Sequence, residues 1–329
     1  MELELLDNVL ADLGEPRFRA GQVWQWLARG AASYDEMTNV PLSLREQLAE
    51  RVPLSSLTVE REARSSDGTE KALFHTHDRR PIEAVLMRFR DGRRSLCVSS
   101  QSGCPLTCTF CATGQMKFGR NLTASEILDQ ALHFRRKEAV DHLVYMGMGE
   151  PLMNVDAVLA SAERLPAVGI AQSHTTVSTV GWIPGIERMT EPDAPSIRLA
   201  LSLHAADPAL RSELMPVNDR YPLPDVLEAC RRWHAARRRK VYIEYVMLDG
   251  VNDRYEQAVQ LAQVLQPRTA FKVNLIPYNP TGGAFQGSSR GALAVFRDVL
   301  VSHGIPATIR LTRGRDIAAA CGQLAAQAA

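Results

Sequence analysis

The sequence has little excess charge of either sign. Its 329 residues include 38 Lys and Arg against 37 Asp and Glu, which gives a formal net charge of +1. This balance excludes a uniformly basic nucleic-acid coat protein, although it is compatible with a local basic surface. With 45% apolar residues, the chain also lacks the composition of an intrinsically disordered protein. Lysine is scarce, at five of the 38 basic residues, so arginine supplies nearly all of the cations that could contact phosphate.

Long apolar runs are missing as well. No stretch approaches the roughly 20 apolar residues that a membrane-spanning helix needs. The first residues, MELELLDNVLADLGEPRFRAG, lack the basic start and apolar core of a signal peptide. We therefore expect a cytoplasmic protein that has no membrane partner. The sequence has no internal repeat, and its length suits about two average domains or one α/β barrel with an appendage.

The six cysteines do not have the pattern of a secreted disulfide framework. Four of them, at positions 97, 104, 108 and 111, fall within 15 residues, and only Cys230 and Cys321 lie elsewhere. In a reducing cytoplasm, thiols clustered in this way indicate a metal site or catalysis. Cys230 shares a helical face with Val226 and Leu227, so we assign it to the hydrophobic core.

The N-terminal part of the sequence predicts helices followed by strands. The segments LELLDNVLADL, FRAGQVWQWLARG and PLSLREQLAERV have apolar residues at helical spacing, which predicts a helical accessory domain over residues 1–55. The segments LTVERE, KALFHTH and IEAVLMRFR read instead as extended chain, up to a turn at Asp91-Gly92. Residues 56–92 are therefore expected to form a short β connector.

Strands and helices alternate over the rest of the chain. Six main strands are predicted by SLCVSSQ, HLVYMGMG, HTTVSTVG, SIRLALSLHA, VYIEYVMLDG and FKVNLIPYN, and an extra one by PATIRLT. Such alternation implies parallel pairing through right-handed crossovers. Six strands are fewer than the eight of a closed barrel, so we predict an α/β fold with a partial (β/α)6 barrel over residues 93–329. Thr123, with Glu126 three residues later, predicts the start of one helix.

The strongest motif is GCPLTCTFCATG, in which Cys104, Cys108 and Cys111 have the spacing C-x3-C-x2-C. It follows the first barrel strand, at the end of a barrel where chemistry takes place. A structural zinc site needs four N or S ligands, usually in C-x2-C pairs, and no fourth ligand follows at such a spacing. Three thiolates suit a cubane iron–sulfur cluster that leaves one iron open. Structural zinc and plain thiols remain the alternatives.

This motif, on the first loop of a partial barrel, resembles the signature of the radical S-adenosylmethionine (SAM) enzymes. The resemblance implies a [4Fe-4S] cluster on Cys104, Cys108 and Cys111. The open iron would bind the amino and carboxylate groups of SAM. One electron from the cluster would then cleave SAM to methionine and a 5′-deoxyadenosyl radical.

Further segments resemble the RlmN/Cfr family of RNA adenine methyltransferases over residues 10–325, which is nearly the whole chain. They are VSSQSGCPLTCTFCATGQMKFGRNLTASEI, MGMGEPLMN, VSTVG, LALSLHA, MPVND, YIEYVMLDGVND, NLIPYNP, TRGRDIAAACGQL and the N-terminal RFRAGQVWQWL. Any one of these segments is a weak signal, but together they are highly specific.

The resemblance implies a SAM site at the ends of the barrel strands. Gly149 and Glu150 would meet the amino acid part of SAM, because an ammonium group suits a carboxylate and glycine allows close approach of the backbone. The other expected contacts are Ser178, Ser202, Leu203, His204 and Asn279. Taken singly, these positions are also typical of a Gly-rich turn and of polar residues at strand ends.

Three further residues are the expected catalytic residues. The resemblance gives Cys321 the role of methyl-carrying cysteine, Cys97 that of resolving cysteine and Glu83 that of general base. From the sequence alone, both cysteines also read as small core residues, and Glu83 as an exposed carboxylate on a strand.

The resemblance also implies a reaction that uses two SAM molecules per turnover. The first SAM methylates Cys321, and the second yields the radical that takes a hydrogen from that methyl group. The resulting methylene radical adds to carbon 2 of adenine, which is electron-poor between two ring nitrogens. Cys97 then attacks the sulfur, which releases the product and leaves a Cys97–Cys321 disulfide.

A base in folded RNA must be exposed before its ring is modified, which calls for cations and stacking partners. The candidates are Arg17, Arg19, Trp24, Trp26, Lys117, Phe118, Arg120 and the run Arg231, Arg232, Arg237, Arg238, Arg239 and Lys240. A charged helix face is often only solvated, which is the alternative for the arginine run. Trp24 and Trp26 cannot share one helix face, so at least one of them is expected in the core.

We therefore expect a monomeric enzyme that forms 2-methyladenine in 23S rRNA, with tRNA as a second candidate substrate. A reductant such as flavodoxin or ferredoxin would supply its electrons. Methylation of carbon 8, as in the Cfr branch of the family, is the near alternative, because no single residue distinguishes the positions. A non-catalytic RNA-binding module with a structural metal centre is an alternative of a different class.

Overall fold

The first part of the chain forms the three short helices that the hydrophobic spacing predicts. The computed structural model describes residues 1–325. The helices are α1 (Leu3–Asp12), α2 (Phe18–Arg29) and α3 (Leu42–Arg51). In α1, Leu6, Val9 and Leu10 are buried, and their spacing places them on one face. Residues 326–329, the last four of the predicted barrel region, lie outside the described residues.

The extended segments that follow are antiparallel strands that continue the sheet of the barrel. They are β1 (Leu57–Arg64), β2 (Glu70–Thr76) and β3 (Pro81–Arg88), and β3 pairs antiparallel with β4 (Arg94–Cys97). Val85 lies opposite Cys97 in this register. The turn between β2 and β3 therefore extends beyond the carboxyl end of β4. Two short strands, β5 (Gln101–Ser102) and β6 (Arg120–Asn121), pair with each other and bracket the cysteine motif.

The barrel contains the six main strands and the extra strand that the sequence predicts. After β4 these are β7 (His142–Tyr145), β8 (Thr175–Thr179), β9 (Arg198–Ser202), β10 (Val241–Met247), β11 (Phe271–Pro277) and β12 (Ala307–Ile309). Each neighbouring pair from β4 to β12 is parallel. Within residues 1–325 β4 and β12 do not pair with each other, so the barrel is open and the prediction of a partial barrel is confirmed.

Helices alternate with these strands. They are α4 (Ala124–Arg135), α5 (Val155–Val168), α6 (Ile183–Thr190), α7 (Pro208–Leu214), α8 (Leu223–Arg237), α9 (Tyr255–Val264) and α10 (Arg290–Ser302). The predicted capping box starts α4, since Thr123 Oγ1 accepts a bond from Glu126 N at 3.1 Å and Glu126 Oε2 accepts one from Thr123 N at 2.9 Å. Cys230 on α8 is fully buried, which confirms its assignment to the core.

The N-terminal helices pack against the barrel. The Arg136 side chain donates hydrogen bonds to the carbonyl oxygens of Ala31 and Leu54, at 3.4 and 3.2 Å. The Arg164 guanidinium lies 5.6 Å from the ring centre of Trp24 on α2. Buried residues of the N-terminal helices and of the barrel belong to one hydrophobic core. Among residues 1–325 we find no helix with the length and apolar character to cross a membrane.

Residues 310–325, called here the C-terminal segment, run from β12 to the turn between β1 and β2 and then return to the barrel opening. At the turn, the Asp316 carboxylate accepts hydrogen bonds from Ser65 Oγ at 2.5 Å and from Ser66 N at 3.0 Å. At the opening, Gly322 O accepts a bond of 2.8 Å from Ala112 N, which follows Cys111 in the cysteine motif. The second contact places Cys321 beside that motif.

Candidate active site

A cavity lies at the carboxyl ends of the barrel strands. Including the solvent at its mouth, it encloses about 1020 Å³, and its wall combines apolar side chains with a few polar groups, as ligand sites do. Nine of the predicted site residues line it: Cys104, Cys108, Cys111, Gly149, Glu150, Ser178, Ser202, His204 and Cys321. The other four, Glu83, Cys97, Leu203 and Asn279, are not part of its wall. The topology therefore brings most of the predicted site together from widely separated parts of the sequence.

The cysteine motif forms a tight loop at the edge of this cavity. Cys111 N donates to Cys108 O at 3.2 Å, and Gly114 N donates to Cys111 O at 3.1 Å. A Cβ atom at Gly114 would lie only 2.8 Å from Cys108 O, so the turn accepts only glycine without a shift. Thr109 N is bonded to Leu214 O at 3.0 Å, which ties the loop to α7.

Two of the three thiols of the motif, those of Cys104 and Cys108, are in a poorly solvated environment. Burial raises the pKa of Cys104 to about 12 and the pKa of Cys108 well above the usual range. Thiols of this kind become thiolates when they bind a cation, as metal-ligating cysteines do. Within residues 1–325, no group of three or more His, Cys, Asp or Glu residues is arranged to hold a single metal ion. A cubane cluster carries its thiolates on different irons, so its ligands need not converge on one point.

Glu150 presents a buried carboxylate to the cavity. Its two oxygens accept hydrogen bonds from Leu152 N and Val180 N, both at 3.0 Å. Burial nevertheless raises its pKa to about 7, so the carboxylate would be stabilised by a cationic ligand group such as an ammonium. Gly149 beside it has a φ of 97°, and a Cβ atom there would lie 2.5 Å from Gln101 Cβ. Glycine is thus required here by the positive φ and by the close packing of Gln101, and the approach of SAM to this backbone stays a prediction.

His204 is a neutral hydrogen-bonding group. Its Nδ1 accepts a bond from Val246 N at 2.9 Å, which leaves the proton on Nε2. Burial and the neighbouring Arg211 lower its pKa to about 3, so the ring stays uncharged at neutral pH. The ring packs edge-on against Phe110 of the cysteine motif, with the ring centres 4.8 Å apart. His204 can donate one hydrogen bond to a ligand, but it is not suited to acid–base work.

The remaining expected SAM contacts differ in position. Ser178 Oγ and Ser202 Oγ lie 3.3 Å apart on neighbouring strands. The Leu203 side chain is buried in the main core, and its backbone N bonds to Glu244 O at 3.0 Å. Asn279 donates from Nδ2 to Cys321 O at 3.2 Å, while its buried Oδ1 has no partner among the described residues. A buried acceptor of this kind fits a ligand that brings a donor, such as the amino group of adenine.

Cys97 and Cys321 are free thiols that share one cationic neighbour. Desolvation raises the pKa of the half-buried Cys97 to about 12, and it raises the pKa of Cys321 less, because that side chain is exposed at the cavity; Arg310 opposes both shifts. Cys321 opens to the cavity, whereas Cys97 packs with apolar side chains of the C-terminal segment, among them Leu324. Arg310 is fixed by Glu244, whose Oε2 lies 3.2 Å from one guanidinium nitrogen. The two cysteines are therefore neighbours although 224 positions separate them in the sequence.

Glu83 lies under the C-terminal segment. Its side chain is 1% exposed, so the alternative of an exposed strand carboxylate is wrong. Oε1 is paired with Lys71 Nζ at 2.8 Å, and Oε2 accepts a hydrogen bond from Ala325 N at 3.1 Å. Lys71 also donates to Ala318 O at 3.1 Å, so one lysine connects this carboxylate with the segment that carries Cys321.

The arginine run on α8 does not reach the cavity. It leads into the amino end of β10, which is the opposite end of the barrel. Arg231 and Arg239 donate to the carbonyl oxygens of Gln266 and Ser196, at 2.6 and 3.0 Å. Arg237 likewise bonds the Met189 carbonyl, and Arg232 pairs with Glu187 at 3.1 Å. Several of these arginines are thus tied to neighbouring loops at the end opposite the cavity, and RNA contact by this run at the cavity is not supported.

The other RNA candidates divide between packing and exposure. Trp24 and Trp26 are both half-buried against the core, and Trp26 Nε1 bonds Asn39 Oδ1 at 2.6 Å. Arg19, in the first turn of α2, pairs with Glu15 at 3.2 Å. Arg17, just before the helix, is exposed.

Beside the cysteine motif, Arg120 is held between Asp78 and Glu126, at 2.7 Å from each. Lys117 and Phe118 are exposed there. They lie next to Arg79 and Arg80, which are exposed in the turn between β2 and β3. Ser102 connects the two segments, because its carbonyl oxygen accepts a bond from Gly119 N at 2.8 Å and its Oγ donates to Pro81 O at 3.1 Å. We call Arg79, Arg80, Lys117 and Phe118 the basic turn surface.

Four charged residues of the site were not identified from the sequence. They are Lys71, Arg211, Glu244 and Arg310, and each lies in or next to a segment that reads as an ordinary strand or helix. Lys71 and Glu83 become neighbours only through the register of β2 with β3, in which Leu73 lies opposite Glu83. The sequence contained one signal for this pair. Lys71 precedes Leu73, the residue opposite Glu83, by two positions, which places the lysine and the glutamate on the same face of the sheet.

Comparison with known proteins is consistent with these observations. Residues 98–262 match the model of the Radical SAM superfamily, and residues 1–54 match the Ribosomal RNA large subunit methyltransferase N-terminal domain. The dual-specificity RNA methyltransferase RlmN of Anaeromyxobacter dehalogenans is 45% identical, over 98% of this chain and 90% of the relative. The probable dual-specificity RNA methyltransferase RlmN of Thermus thermophilus is 43% identical, over 98% and 92%.

A solved structure is also similar over almost the full length. A radical SAM methyltransferase from Sphaerobacter thermophilus superposes with a TM-score of 0.92 at 43% identity, covering 99% of this chain and 98% of that one. The helices, the antiparallel strands and the open barrel described above are thus shared with that protein as one arrangement.

Proposed function

We propose, because the chain belongs to the RlmN family of radical SAM RNA methyltransferases, that it methylates carbon 2 of adenine in large-subunit ribosomal RNA and in tRNA. As a member of this family it is an enzyme that modifies RNA with a [4Fe-4S] cluster and SAM. Carbon 2, the two RNA classes and the roles of individual residues are our inference. The observation that carries the proposal is that Cys321 lines the same cavity as the cysteine motif and Glu150.

The residues of the cavity fit both cofactors. The cysteine motif supplies three thiols, Cys104, Cys108 and Cys111, which leaves one iron of a cubane open; the fourth thiol of the cavity, Cys321, lies on the C-terminal segment and is assigned to methyl transfer. Glu150 offers a buried carboxylate for an ammonium group. Asn279, which is bonded to Cys321 O but is not itself part of the cavity wall, adds a buried Oδ1 acceptor without a partner among the described residues. We therefore assign the cluster to the three cysteines. We assign SAM to Gly149, Glu150, Ser178, Ser202, His204 and Asn279, with Leu203 supporting the site from the core.

The target atom explains why a radical route is needed. Carbon 2 of adenine carries no lone pair that could attack a methyl sulfonium group, but a carbon radical can add to it. When bound, the cluster and SAM supply the methyl group, the electron and the radical that removes hydrogen. The chain's own contribution is a sulfur atom that carries the methyl group to the base, and Cys321, on the cavity wall, is that sulfur.

Cys97 is positioned to resolve the covalent intermediate. Radical addition joins the Cys321 sulfur to adenine through the former methyl carbon and leaves an unpaired electron on the ring, which returns to the oxidised cluster. Once the adduct has also lost the proton of carbon 2, the Cys97 thiolate attacks the sulfur. The sulfur–carbon bond breaks, a Cys97–Cys321 disulfide forms, and the carbon keeps the electron pair and takes up a proton. Arg310, beside both thiols, favours the thiolate form that this attack requires.

Glu83 is our candidate for the base that removes a proton from the adduct. Lys71 holds its carboxylate at 2.8 Å, and Ala325 of the C-terminal segment covers it. A movement of the C-terminal segment would uncover Glu83 without disturbing the strand that carries it. Apo geometry of this kind does not exclude a catalytic base, because catalytic contacts often form only with substrate bound.

The basic turn surface is our candidate for contact with RNA outside the cavity. It combines exposed cations for phosphates with the Phe118 ring, which is 38% exposed and available for stacking. It lies beyond the carboxyl end of β4, at the same end of the barrel as the cavity. We further expect the enzyme to act as a monomer and to receive electrons from a reductant of the flavodoxin or ferredoxin type.

Mass spectrometry of modified adenosine tests the proposed reaction. The reconstituted enzyme is incubated with SAM, a reductant and either unmodified large-subunit rRNA or tRNA, and the nucleosides are compared with 2-methyladenosine and 8-methyladenosine standards. We expect 2-methyladenosine from both RNAs and none with Cys321→Ala. A product at carbon 8 would assign the enzyme to the Cfr type of activity, and modification of rRNA alone would remove tRNA from the proposal.

A further inference from the structure

Arg211, on α7, is a fully buried arginine without an anionic side chain beside it. Its side chain is 0% exposed. Its guanidinium donates to three neutral acceptors: Leu203 O at 3.3 Å, Asn218 Oδ1 at 2.6 Å and Val180 O at 2.6 Å. Among the described residues, no Asp or Glu lies within ion-pair distance of it, although the chain has 37 such residues.

Such an arrangement is costly in a protein that lacks a further ligand. Removing a charge from water is strongly unfavourable unless an opposite charge compensates for it, and buried charges are therefore paired or next to ions. Hydrogen bonds to neutral carbonyl oxygens give the N–H groups of Arg211 partners, but they do not compensate the positive charge of its guanidinium group. The charge therefore points to an anionic group that comes to this place in the holoenzyme.

The cysteine motif is the group beside Arg211. Leu214, one turn later on α7, accepts hydrogen bonds from Thr109 N at 3.0 Å and Thr109 Oγ1 at 3.4 Å. Cys108 is buried in a small apolar cluster together with Leu214 and Met215. Burial lowers the pKa of Arg211 to about 10, and Cys108 opposes that shift.

The other titratable neighbours of Arg211 do not provide a charge at neutral pH. Burial raises the pKa of Cys230 to about 12, so this thiol is protonated. His204 is neutral because its pKa is about 3. The cysteine motif, packed on α7 through Thr109 and the apolar cluster around Cys108, is thus the place where an anionic group can lie beside the guanidinium.

We propose that Arg211 raises the reduction potential of the iron–sulfur cluster. It would do so as a buried positive charge on α7, behind the part of the cysteine motif that contains Cys108. The proposal rests on the assignment of the cluster to Cys104, Cys108 and Cys111. A cubane core of charge 2+ with three thiolates carries one net negative charge, and one-electron reduction makes it two. A fixed cation in a low-dielectric site stabilises the reduced form more than the oxidised form. Arg211 therefore makes the electron transfer that starts each turnover less unfavourable.

Arg211 also has a structural role, which the experiment must separate from its effect on the reduction potential. By bonding the carbonyl oxygens of Val180 and Leu203, it also joins the loops that follow β8 and β9. Those loops follow the strands that carry Ser178 and Ser202, and one of them contains His204, so loss of Arg211 would also weaken SAM binding. The test therefore needs a readout that depends on charge and not on loop geometry, namely the midpoint potential of the cluster without SAM.

The experiment is an EPR-monitored redox titration of the reconstituted full-length protein. Arg211→Met removes the charge, Arg211→Lys keeps it but loses the forked geometry, and Arg232→Met removes an exposed arginine on α8 as the matched control. We expect Arg211→Met to reduce the equilibrium constant for cluster reduction at least tenfold. For one electron this is a shift of about 59 mV to more negative potential. Arg211→Lys should keep most of the wild-type potential, and Arg232→Met all of it.

A second variant keeps the test valid if Arg211→Met does not fold. Asn218→Asp preserves the shape of the side chain whose Oδ1 lies 2.6 Å from the guanidinium, and it places a carboxylate there. Neutralising Arg211 in this way should also move the potential to more negative values, while the hydrogen bond is kept. An unchanged potential in Asn218→Asp or Arg211→Met, with wild-type iron content, overturns the proposal. A wild-type protein without a reducible cluster would instead overturn the cluster assignment itself.

Discussion

Lys71 on β2 and Glu83 on β3 form a salt bridge of 2.8 Å beneath the C-terminal segment. The lysine side chain is 12% exposed and the glutamate side chain 1% exposed, so this pair is shielded from water on nearly all sides. The same lysine donates to Ala318 O, and Ala325 N donates to Glu83. The pair thus connects the expected general base with both ends of the stretch that contains Cys321.

Lys71→Met should destabilise the protein strongly. It removes the cation from a carboxylate that stays buried, and breaking such a pair costs about 3–5 kcal/mol of the free energy of unfolding. The measurement is the urea midpoint of the variant and of wild type under identical loading with iron. The double variant Lys71→Met/Glu83→Gln should recover a large part of the loss, because no charge is then left buried. Equal stability of Lys71→Met and wild type would show that the pair is solvated.

Cys97 should react slowly with alkylating agents, with a pH dependence that continues far into the alkaline range. Its pKa is raised to about 12 by burial, so its thiolate fraction increases about tenfold per pH unit between pH 7 and 10. An ordinary cysteine with a pKa of about 8.5 would level off in that range. The check is iodoacetamide labelling of Cys97, followed by peptide mass spectrometry.

Arg310→Met provides the control for this effect. The charged groups facing Cys97 are Arg310 and, across it, Glu244, and Arg310 lowers the pKa of the thiol. Labelling of Cys97 should therefore be slower in Arg310→Met than in wild type at each pH. A rate that levels off near pH 8.5 in wild type would contradict the half-buried, protonated thiol described here.

The C-terminal segment should be released when its contact with the β1–β2 turn is removed. Asp316 accepts hydrogen bonds from Ser65 Oγ, Ser66 N and Ser66 Oγ, so Asp316→Ala removes three of them at once. Trypsin should then cleave after Arg313 and Arg315 several-fold faster than in wild type, because cleavage needs local opening. Asp298→Ala, at an exposed aspartate on α10, should leave the rate unchanged. Unchanged cleavage in Asp316→Ala would mean that other contacts hold the segment.

RNA affinity should depend on where positive charge is removed. Arg79→Ala/Lys117→Ala takes two exposed cations from the basic turn surface, and Arg238→Ala/Lys240→Ala takes two from the opposite end of the barrel. The first pair should weaken binding and reduce the salt dependence of log Kd by about one for each lost phosphate contact. The second pair should bind as wild type does. Equal loss in both pairs would show that only net charge matters, and the basic turn surface would not be the RNA contact.

Much of the architecture could be predicted from the sequence because its signals are local. The apolar spacing of the three N-terminal helices, the Thr123–Glu126 capping box and the alternation of strands and helices are each contained in a few neighbouring residues. The cysteine motif is likewise local, and its position after β4 follows from the strand prediction.

The roles of other residues could not be predicted, because they depend on contacts with residues that are far away in the sequence. Arg211 looks like any charged residue of an amphipathic helix, and only the packing of α7 under the cysteine motif makes it buried. The arginine run on α8 has a high local charge, but the sequence does not state which end of the barrel it faces. Arg310 acquires its neighbours Glu244 and Cys97 only when β12 completes the open barrel.

Trapping the covalent intermediate tests the central claim most directly. Cys97→Ala, reconstituted with its cluster and incubated with SAM, reductant and RNA, should accumulate a protein–RNA adduct that survives denaturation. Mass spectrometry should locate a single-carbon bridge between Cys321 and carbon 2 of adenine, and Cys97→Ala/Cys321→Ala should give no adduct. If Cys97→Ala instead releases methylated RNA at the wild-type rate, or if the bridge is on another residue, methyl transfer through Cys321 with resolution by Cys97 is contradicted.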